Sequence, residues 1–435
     1  DLFEGFSEDE MIDWRPEQVV VGNAVSRGNA QVEKLLTERE LPFVSLPELI
    51  GEDLIGNRPS IVVAGTHGKT TTTALTAFSL QACGINPGYL IGGVPLDLSS
   101  GNELGDLSAP FVIEGDEYDS AFFDKRSKFV HYRPRILILN NLEFDHGDIF
   151  RDLDDISRSF SHLLRIVPAN GFILRNGDDP NLLNLPDAPW TRTLSIGVND
   201  SNDLVIDNFK ENAKGSSFDL VWREQQVWEI NWSMPGLFNA RNLAMACLSS
   251  ALVQSLGRDL SEILENPFRG IKEIDYESCR GVKRRQEVLV NRDDVAVLSD
   301  FAHHPTAITG ALESLRARWP DRQIIACFEP RSNTAVTNIF QQRFAQSLSL
   351  ADHALIGQVH RAERIPHNER INPYEIVQFI EKQGKSAHCF GTNQELGKYL
   401  GQRVNDSEKE KLLVVFFSNG SFDGVIQEFT QKMER

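Results

Sequence analysis

The sequence lacks long hydrophobic runs: in its 435 residues the longest apolar stretches, such as Leu412–Phe417, have the length of one strand. A membrane-spanning helix needs about 20 apolar residues, so we expect no insertion into a membrane. Basic residues are also in the minority, with 44 Lys and Arg against 62 Asp and Glu and a formal net charge of −18. Because this charge disfavours non-specific binding to polyanions, we expect no nucleic-acid partner.

Cysteine is scarce and its spacing is irregular, with no Cys-x-x-Cys pair. The five cysteines are Cys83, Cys247, Cys279, Cys327 and Cys389. This odd, sparse set argues against a disulfide framework and a cysteine zinc site, and it predicts reduced thiols in the cytoplasm. The chain also begins at Asp1 without an initiator Met, and we expect the natural amino terminus to lie further upstream.

The sequence does contain an alternation of short apolar strands and helical segments, which predicts an α/β fold. A strand, a helix and a strand are predicted within residues 19–46, and a second series begins at the buried strand Ser60–Ala64. The segment Leu204–Trp232 alternates polar and apolar residues and predicts antiparallel strands added to a parallel sheet. A third series begins at the strand Val295–Ser299. The length predicts two or three domains.

The strongest chemical signal is the segment Gly65-Thr66-His67-Gly68-Lys69-Thr70, between a predicted strand and a predicted helix. Glycine turns in this position allow backbone N–H groups and the helix amino terminus to surround phosphates. Lys69 would offset phosphate charge, and the Thr70 hydroxyl would bind Mg²⁺. The usual first glycine of such loops is replaced by Val63, and a simple glycine turn is the alternative. The combination predicts a phosphate-binding loop.

Polar segments follow two further predicted strands of the same series. Glu114 and Glu117 lie at the end of one strand, and residues 141–146 follow the next. Ligands bind at the carboxyl ends of parallel strands, and carboxylates there suit Mg²⁺. We therefore predict a functional Glu114, and a metal or carboxylate contact for His146. A solvated acidic loop and a structural histidine are the alternatives.

The other candidate residues lie at the start of a helix and in the last series of strands. Asn239 and Asn242 share one face of a helix and suit hydrogen bonds to a base edge, although a helix cap is the alternative. Arg331 follows a strand and can clamp a carboxylate, although a surface ion pair is the alternative. His303 and His304 are adjacent and have no third His or Cys at metal spacing, so we do not expect zinc there. The segment 418–420 predicts a further nest for a phosphate or carboxylate.

Taken in chain order, these segments resemble the Mur ligases, ATP-dependent enzymes that join amino acids or peptides to UDP-N-acetylmuramic acid. The resemblance extends from about Val19 to the end of the chain. It rests on the phosphate loop with Thr71–Thr73, Glu114, residues 141–146, Asn239 with Asn242, and Asp300–Pro305. Within the family, four segments look like the branch that attaches L-alanyl-γ-D-glutamyl-meso-diaminopimelate to UDP-N-acetylmuramate in peptidoglycan recycling. They are residues 121–129, 140–146, 329–334 and 418–420.

The resemblance implies a three-domain architecture. Residues 1–58 would be the rear of a Rossmann-like UDP-sugar domain whose glycine-rich turn is missing. Residues 59–280 would form a P-loop ATPase-like parallel sheet with added antiparallel strands, and residues 281–435 a Rossmann-like domain that binds the acceptor peptide and contacts ATP. The stretch Phe268–Gln286, rich in Lys, Arg and Gly, is interpreted as a linker.

The resemblance also implies roles for individual residues, with ATP and Mg²⁺ as cofactors and no obligate protein partner. Implied catalytic residues are Lys69, His146 and His303. Implied ATP contacts are Gly65, Thr66, His67, Gly68, Lys69, Thr70, Thr71, Asn239, Asn242 and Asp300. Implied substrate contacts are Glu117, Asn141, Arg331, Ser332, Asn333 and Asn419. Implied Mg²⁺ ligands are Thr70, Glu114 and His146.

Three other functions remain open at this point. The nearest is the ligase of the same family that adds L-alanine to UDP-N-acetylmuramate, with the same chemistry and a smaller acceptor. A folylpolyglutamate-type ligase shares the loop but has no UDP-sugar domain. A nucleotide-gated binding protein would bind ATP without forming an amide, but it gives no reason for His146, Asp300 and Arg331 to follow separate strands.

Overall fold

The computed structural model describes residues 11, 14–406 and 410–434, which form three sheets with helices packed against them. The α/β class is confirmed. The strands are β1 Val19–Val21, β2 Phe43–Ser45, β3 Ser60–Ala64, β4 Gly88–Leu90, β5 Asn102–Glu103, β6 Phe111–Gly115, β7 Ile136–Leu139, β8 Phe172–Asn176, β9 Arg192–Gly197, β10 Leu204–Asn212, β11 Gly215–Trp222, β12 Gln225–Trp232, β13 Glu287–Asn291, β14 Val295–Asp300, β15 Gln323–Phe328, β16 His353–Ile356, β17 Ser386–Cys389 and β18 Leu412–Phe417.

The α-helices lie between these strands, and none within the described residues is long and apolar enough to cross a membrane. They are α1 Ala30–Glu38, α2 Leu46–Leu49, α3 Lys69–Ala82, α4 Leu153–Arg165, α5 Pro180–Leu183, α6 Leu237–Gln254, α7 Leu260–Glu265, α8 Pro305–Arg318, α9 Gln341–Leu348, α10 Pro373–Lys382, α11 Asn393–Asn405 and α12 Val425–Met433.

The smallest sheet contains β1 and β2, which pair in parallel with α1 between them in the chain. This arrangement confirms the predicted strand, helix and strand within residues 19–46. The helix begins after Asn29, whose side chain accepts hydrogen bonds from the backbone N–H groups of Gln31 and Val32. Such a cap satisfies donors that have no partner inside the helix.

The largest sheet has the order β12-β11-β10-β9-β8-β7-β3-β6-β4-β5. Its central strand β3 is buried along its whole length and pairs in parallel with β6 and β7. Val63 lies opposite both Glu114 and Ile138, so the carboxyl ends of three strands meet at one edge. The predicted antiparallel strands are confirmed as β10, β11 and β12.

The third sheet has the order β13-β14-β18-β15-β16-β17, with only β13 antiparallel to its neighbour. Phe417 lies opposite both Asp300 and Phe328, and Phe328 lies opposite Ile356. The segments that follow β14, β15, β16 and β18 therefore leave the sheet at the same edge. This edge faces the phosphate loop of the largest sheet, as the contacts below show.

Two sequence expectations need correction. The sequence pattern predicts one helix over residues 338–347, but the structure has a 3₁₀ turn, Asn338–Phe340, followed by α9. The sequence also predicts that residues 418–420 open the last helix, but a 3₁₀ turn, Phe422–Gly424, comes first. The stretch 268–286 has no helix or strand, but it is held to the core: Tyr276 is buried and its hydroxyl lies 2.7 Å from Ser79 Oγ.

Candidate active site

The segment between β3 and α3 is a tight loop closed by a lysine. Gly65 and Gly68 have φ values of +139° and +81°, in the region that favours glycine. Lys69, the first residue of α3, donates from Nζ to the Gly65 carbonyl oxygen at 2.6 Å. This strand, loop and helix have the geometry of a phosphate-binding loop.

Gly68 has no room for a side chain, because two amides lie against it. A Cβ atom built there would lie 2.5 Å from Asn242 Oδ1 and 2.9 Å from Asn140 Nδ2. Asn242, from α6, is therefore placed beside the loop. Its predicted companion Asn239 is engaged elsewhere, since its Nδ2 donates to the Pro235 carbonyl oxygen at 2.7 Å near the start of the helix.

A buried carboxylate connects Lys69 to His146. Glu117 is 3% exposed, and its oxygens lie 3.0 Å from Lys69 Nζ and 3.0 Å from His146 Nε2. Burial disfavours the charged forms of both partners, but Glu117 and neighbouring carboxylates, Asp116 for Lys69 and Asp145 for His146, together raise the pKa of Lys69 and the pKa of His146. Lys69 and His146, two of the implied catalytic residues, are therefore held in one charge network by Glu117, which was predicted to contact substrate.

Two predicted Mg²⁺ ligands also meet, Thr70 in the first turn of α3 and Glu114 in β6. Thr70 Oγ1 donates to Glu114 Oε2 at 3.1 Å, while Glu114 Oε1 accepts from the backbone N–H of Gly92 at 2.6 Å. Burial raises the pKa of the Glu114 carboxyl. Two oxygen donors on adjacent elements beside a phosphate loop fit Mg²⁺, which prefers oxygen ligands. His146, the third predicted ligand, is hydrogen-bonded to Glu117 instead.

Asn141 shapes the loop through both atoms of its amide. Its Oδ1 accepts from the backbone N–H of His67 at 2.7 Å, and its Nδ2 donates to the His67 carbonyl oxygen at 3.1 Å. Thr66 is fixed similarly, since its hydroxyl donates to the Glu143 carbonyl oxygen at 3.1 Å. Thr71 is buried in the first turn of α3. The predicted substrate contact of Asn141 stays a prediction.

Several contacts join this edge of the largest sheet to the third sheet. Asn333 Nδ2 donates to Asp148 Oδ2 at 2.9 Å, and the backbone N–H of Gly147 donates to Thr334 Oγ1 at 3.3 Å. Arg285 reaches Thr70 Oγ1 at 3.5 Å while its guanidinium lies 4.7 Å from the centre of the Phe301 ring. The two edges therefore face each other across a shared space.

That space is a cavity of about 720 Å³. Asp145 and Asp148, which follow a strand of the largest sheet, form its acidic wall. Arg331, Arg361 and Arg364, which follow strands of the third sheet, form its basic wall. Its lining residues are Tyr118, Asp145, His146, Asp148, Phe301, His303, Arg331, Ser332, Asn333, Thr334, Val336, Thr337, His360, Arg361, Arg364, Ile365 and Asn419. Six of these were predicted from sequence: His146, His303, Arg331, Ser332, Asn333 and Asn419.

Arg331 is held at the cavity wall from two sides. Its Nη1 donates to Glu329 Oε1 at 3.3 Å, and Glu329 is 1% exposed. A Cβ atom built on Gly420 would lie 2.2 Å from Arg331 Cδ, so the guanidinium packs directly on the glycine backbone. Glu329 also accepts hydrogen bonds from the Ser418 hydroxyl and from Asn393 Nδ2, the latter at 3.0 Å.

Within residues 14–406 and 410–434, two other cavity residues leave a polar atom free for a ligand. His303 Nδ1 donates to the Phe301 carbonyl oxygen at 2.9 Å, and burial lowers the pKa of His303, so its Nε2 presents a lone pair. Asn419 Oδ1 is buried and has no hydrogen-bond partner in the part of the chain that the structure describes. Ser332 Oγ, in contrast, accepts from the backbone N–H of Ala335 at 3.1 Å.

Asp300 lies beside the cavity rather than on it. Its two carboxylate oxygens accept from the backbone N–H groups of Gln286 and Ala302 at 2.9 and 2.7 Å. Burial raises the pKa of the Asp300 carboxyl. The structure therefore shows Asp300 fixing the turn that carries Arg285, and its predicted contact to ATP stays a prediction.

Known proteins share both the sequence and the fold. Residues 63–250 match the family described as Mur ligase middle domain, and residues 284–419 match Mur ligase, glutamate ligase domain. The UDP-N-acetylmuramate–L-alanyl-γ-D-glutamyl-meso-2,6-diaminoheptandioate ligase of Escherichia coli strain K12 is 36% identical, over 98% of this chain and 87% of that protein. The chain belongs to the Mur ligase family. The predicted resemblance, the three-domain architecture and the prediction of an ATP-dependent ligase are confirmed.

Two further comparisons place this Mur ligase among its relatives. The crystal structure of a murein peptide ligase from Psychrobacter arcticus is similar with a TM-score of 0.64 and 33% identity, over 99% of this chain and 88% of that chain. The UDP-N-acetylmuramate–L-alanine ligase of Desulfitobacterium hafniense is 30% identical, over 90% of this chain and 82% of that protein.

Sequence reasoning missed several residues of the site in this Mur ligase. Arg285 lies in the aperiodic stretch that was interpreted as a linker. Arg361 and Arg364 follow β16, and the strand-end argument that selected Arg331 would have selected them had it been applied to that strand. The argument against zinc considered only spacing in the sequence, whereas three potential ligands, His67, Glu143 and His304, lie together in the fold. The expectation itself stays a prediction.

Proposed function

We propose that this Mur ligase joins L-alanyl-γ-D-glutamyl-meso-diaminopimelate to the lactyl carboxylate of UDP-N-acetylmuramate, using ATP, in peptidoglycan recycling. The reaction converts the carboxylate to an acyl phosphate, which the amine of the tripeptide attacks to form the amide and release phosphate. The relatives from Escherichia coli and Psychrobacter arcticus carry names of this activity and support the proposal. We expect the reaction in the cytoplasm, with no obligate protein partner.

The observation that carries the proposal is the basic wall of the cavity. Arg331, Arg361 and Arg364 line one side of a space of about 720 Å³ that also contains His146 and His303. The tripeptide has several carboxylates, and guanidinium groups bind carboxylates bidentately. Its amines would face the acidic wall, where Asp145 and Asp148 lie. L-Alanine has one carboxylate and is far smaller, so the cavity favours the tripeptide over the alternative acceptor.

The residues around the phosphate loop suit the phosphoryl-transfer step. Lys69 would stabilise the charge that develops between two anions, and the Glu117 network keeps it protonated. Arg285 would add a second positive charge from the other side, because it reaches Thr70. Thr70 and Glu114 would hold Mg²⁺, which would offset phosphate charge when bound. His146, beside Glu117, remains our third proposed Mg²⁺ ligand.

The residues at the cavity suit the amide-forming step. The amine of the tripeptide must lose a proton as it attacks, and the neutral His303 has a free Nε2 to accept it. Asn419 Oδ1, which is buried without a partner among the described residues, offers an acceptor for an N–H group of the peptide. The contacts between the two edges, such as Asn333 with Asp148, would exclude water that hydrolyses acyl phosphates.

We also propose the domain limits 1–58, 59–280 and 281–435, with UDP-sugar, ATP and acceptor peptide assigned to them in that order. The largest sheet, within residues 60–232, and the third sheet, within residues 287–417, support the second and third limits.

The proposal is tested by measuring phosphate release with ATP, Mg²⁺ and UDP-N-acetylmuramate, with either the tripeptide or L-alanine as acceptor. We expect rapid release with the tripeptide and little with L-alanine. Release that needs only L-alanine would favour the alanine-adding ligase. ATP binding without any acceptor-dependent release would favour a nucleotide-gated binding protein.

A further inference from the structure

Three side chains converge at the phosphate loop, and none of them carries a step of the proposed reaction, although His67 is one of the implied ATP contacts. His67 comes from the loop, Glu143 from the segment after β7, and His304 from the residue that caps α8. His67 Nε2 lies 3.2 Å from His304 Nδ1. Glu143 Oε1 lies 3.8 Å from His67 Nε2, and Glu143 Oε2 lies 3.8 Å from His304 Nδ1. The cluster spans the two halves of the molecule.

These separations suit a tetrahedral metal ion. Zinc binds imidazole nitrogen and carboxylate oxygen at about 2.0–2.1 Å, which places two tetrahedral ligand atoms about 3.3 Å apart. The two nitrogens are already at this separation, whereas the two 3.8 Å contacts of Glu143 are made by different oxygens, so the carboxylate must turn to bring one oxygen close to both nitrogens. After this turn, one oxygen and two nitrogens would occupy three corners of a tetrahedron and leave the fourth for water.

The surroundings engage the donors. His304 Nδ1 accepts from the backbone N–H of Thr306 at 3.4 Å, and a bound metal ion would replace this contact. Glu143 Oε2 accepts from Thr306 Oγ1 at 2.7 Å and from Arg343 Nη2 at 3.2 Å. Such outer contacts orient metal ligands. The Arg343 cation would lower affinity for a metal cation without removing a ligand.

We propose that His67, Glu143 and His304 form a site for a transition-metal ion of the zinc class, separate from the Mg²⁺ site proposed at Thr70 and Glu114. Two imidazole nitrogens favour zinc over magnesium, which prefers oxygen. A bound ion would tie the phosphate loop to α8 and oppose separation of the two halves. In the ligase reaction it would therefore act as a reversible inhibitor of turnover.

Metal binding is tested without reference to ligase activity, by calorimetric titration of the full chain with Zn²⁺ in excess Mg²⁺. Glu143→Gln keeps the shape of the side chain and removes the charge, so we expect Zn²⁺ affinity to fall by more than about 100-fold. The matched control is His162→Gln, which removes an exposed histidine of α4 and should leave affinity unchanged. Thr306→Ala, which only loosens Glu143, should cost about 10- to 100-fold.

The outcomes separate this site from its competitors. Cobalt(II) in place of zinc should give the intense visible bands of tetrahedral coordination in the wild type and in His162→Gln, but not in Glu143→Gln. Unchanged Zn²⁺ affinity in Glu143→Gln would overturn the proposal, and so would an equal loss in His146→Gln, which would place the ion at the catalytic network. His304→Gln is the weaker test because His304 is 2% exposed, so thermal unfolding of each variant must match the wild type.

Discussion

Replacing Arg331 by lysine tests whether the basic wall of the cavity binds the acceptor. Lysine keeps the positive charge but loses the planar fork that can bind a carboxylate with two parallel hydrogen bonds. It also loses the fixed position that Arg331 has between Glu329 and Gly420. If the tripeptide is the acceptor, its binding should weaken while ATP binding should not.

The size of the effect follows from the exposure of the side chain. A hydrogen bond to a charged group contributes about 1.5–3 kcal/mol, and the Arg331 side chain is 27% exposed, so solvent screens part of it. Because lysine retains the charge, we expect a loss of about 1–2 kcal/mol, which corresponds to a rise of about 5- to 30-fold in the tripeptide KM. The KM for ATP should change less than about 2-fold, since Arg331 is not at the phosphate loop.

The assay is steady-state phosphate release with the tripeptide and ATP varied in turn. The matched control is Arg316→Lys, since Arg316 lies in the same half of the chain, pairs with Asp352 at 2.6 Å and does not line the cavity. An unchanged tripeptide KM in Arg331→Lys would refute the assignment. Equal increases in both KM values would instead assign Arg331 to domain closure or folding.

Three further changes test the phosphate loop, the contact between Gly420 and Arg331, and the stability of the fold. Lys69→Ala should lower kcat by about 100-fold or more in phosphate-release assays, because one preorganised charge at the transferring phosphoryl group is lost; near-normal turnover would remove the loop from the mechanism. Gly420→Ala should push the flexible Arg331 side chain aside and raise the tripeptide KM without changing the melting temperature greatly, and an unchanged KM would contradict this. The hydrogen bond from Arg126 lowers the pKa of Asp124 from 3.8 to about 2. Asp124 therefore stabilises the fold above pH 3.8, and this stabilisation is lost as the pH falls through about 2. Asp124→Asn should therefore be less stable than wild type in denaturant titrations at pH 6, and the difference should shrink as pH falls toward about 2 and vanish below it; a difference that does not shrink would refute the linkage.

The sequence predicts which segments meet at one edge of a sheet because the carboxyl ends of parallel strands share that edge. Residues after β3, β6 and β7 were selected one strand at a time, and the register that sets Val63 opposite Glu114 and Ile138 brings them together. The same argument places Arg331 and Asn419 at one edge of the third sheet. Such predictions need only that the strands be parallel, because the carboxyl ends of parallel strands lie at the same edge of a sheet.

Pairings between separate segments could not be predicted from the sequence. The role of Glu117 as a bridge between Lys69 and His146 depends on side-chain directions that the strand pattern does not determine. Arg285 escaped prediction because an irregular segment has no periodicity, although packing fixes it against Phe301. The same limit explains Asn239, where helical spacing shows a shared face with Asn242 but not that its amide turns back to Pro235.

The central claim is that this Mur ligase selects a tripeptide with several carboxylates as acceptor. The most direct test is a competition in which ATP, Mg²⁺ and UDP-N-acetylmuramate are supplied with equal concentrations of L-alanyl-γ-D-glutamyl-meso-diaminopimelate and L-alanine, and the products are identified by mass spectrometry. The cavity with its three arginines predicts that UDP-N-acetylmuramoyl-tripeptide is the dominant product. A dominant UDP-N-acetylmuramoyl-L-alanine would contradict the claim.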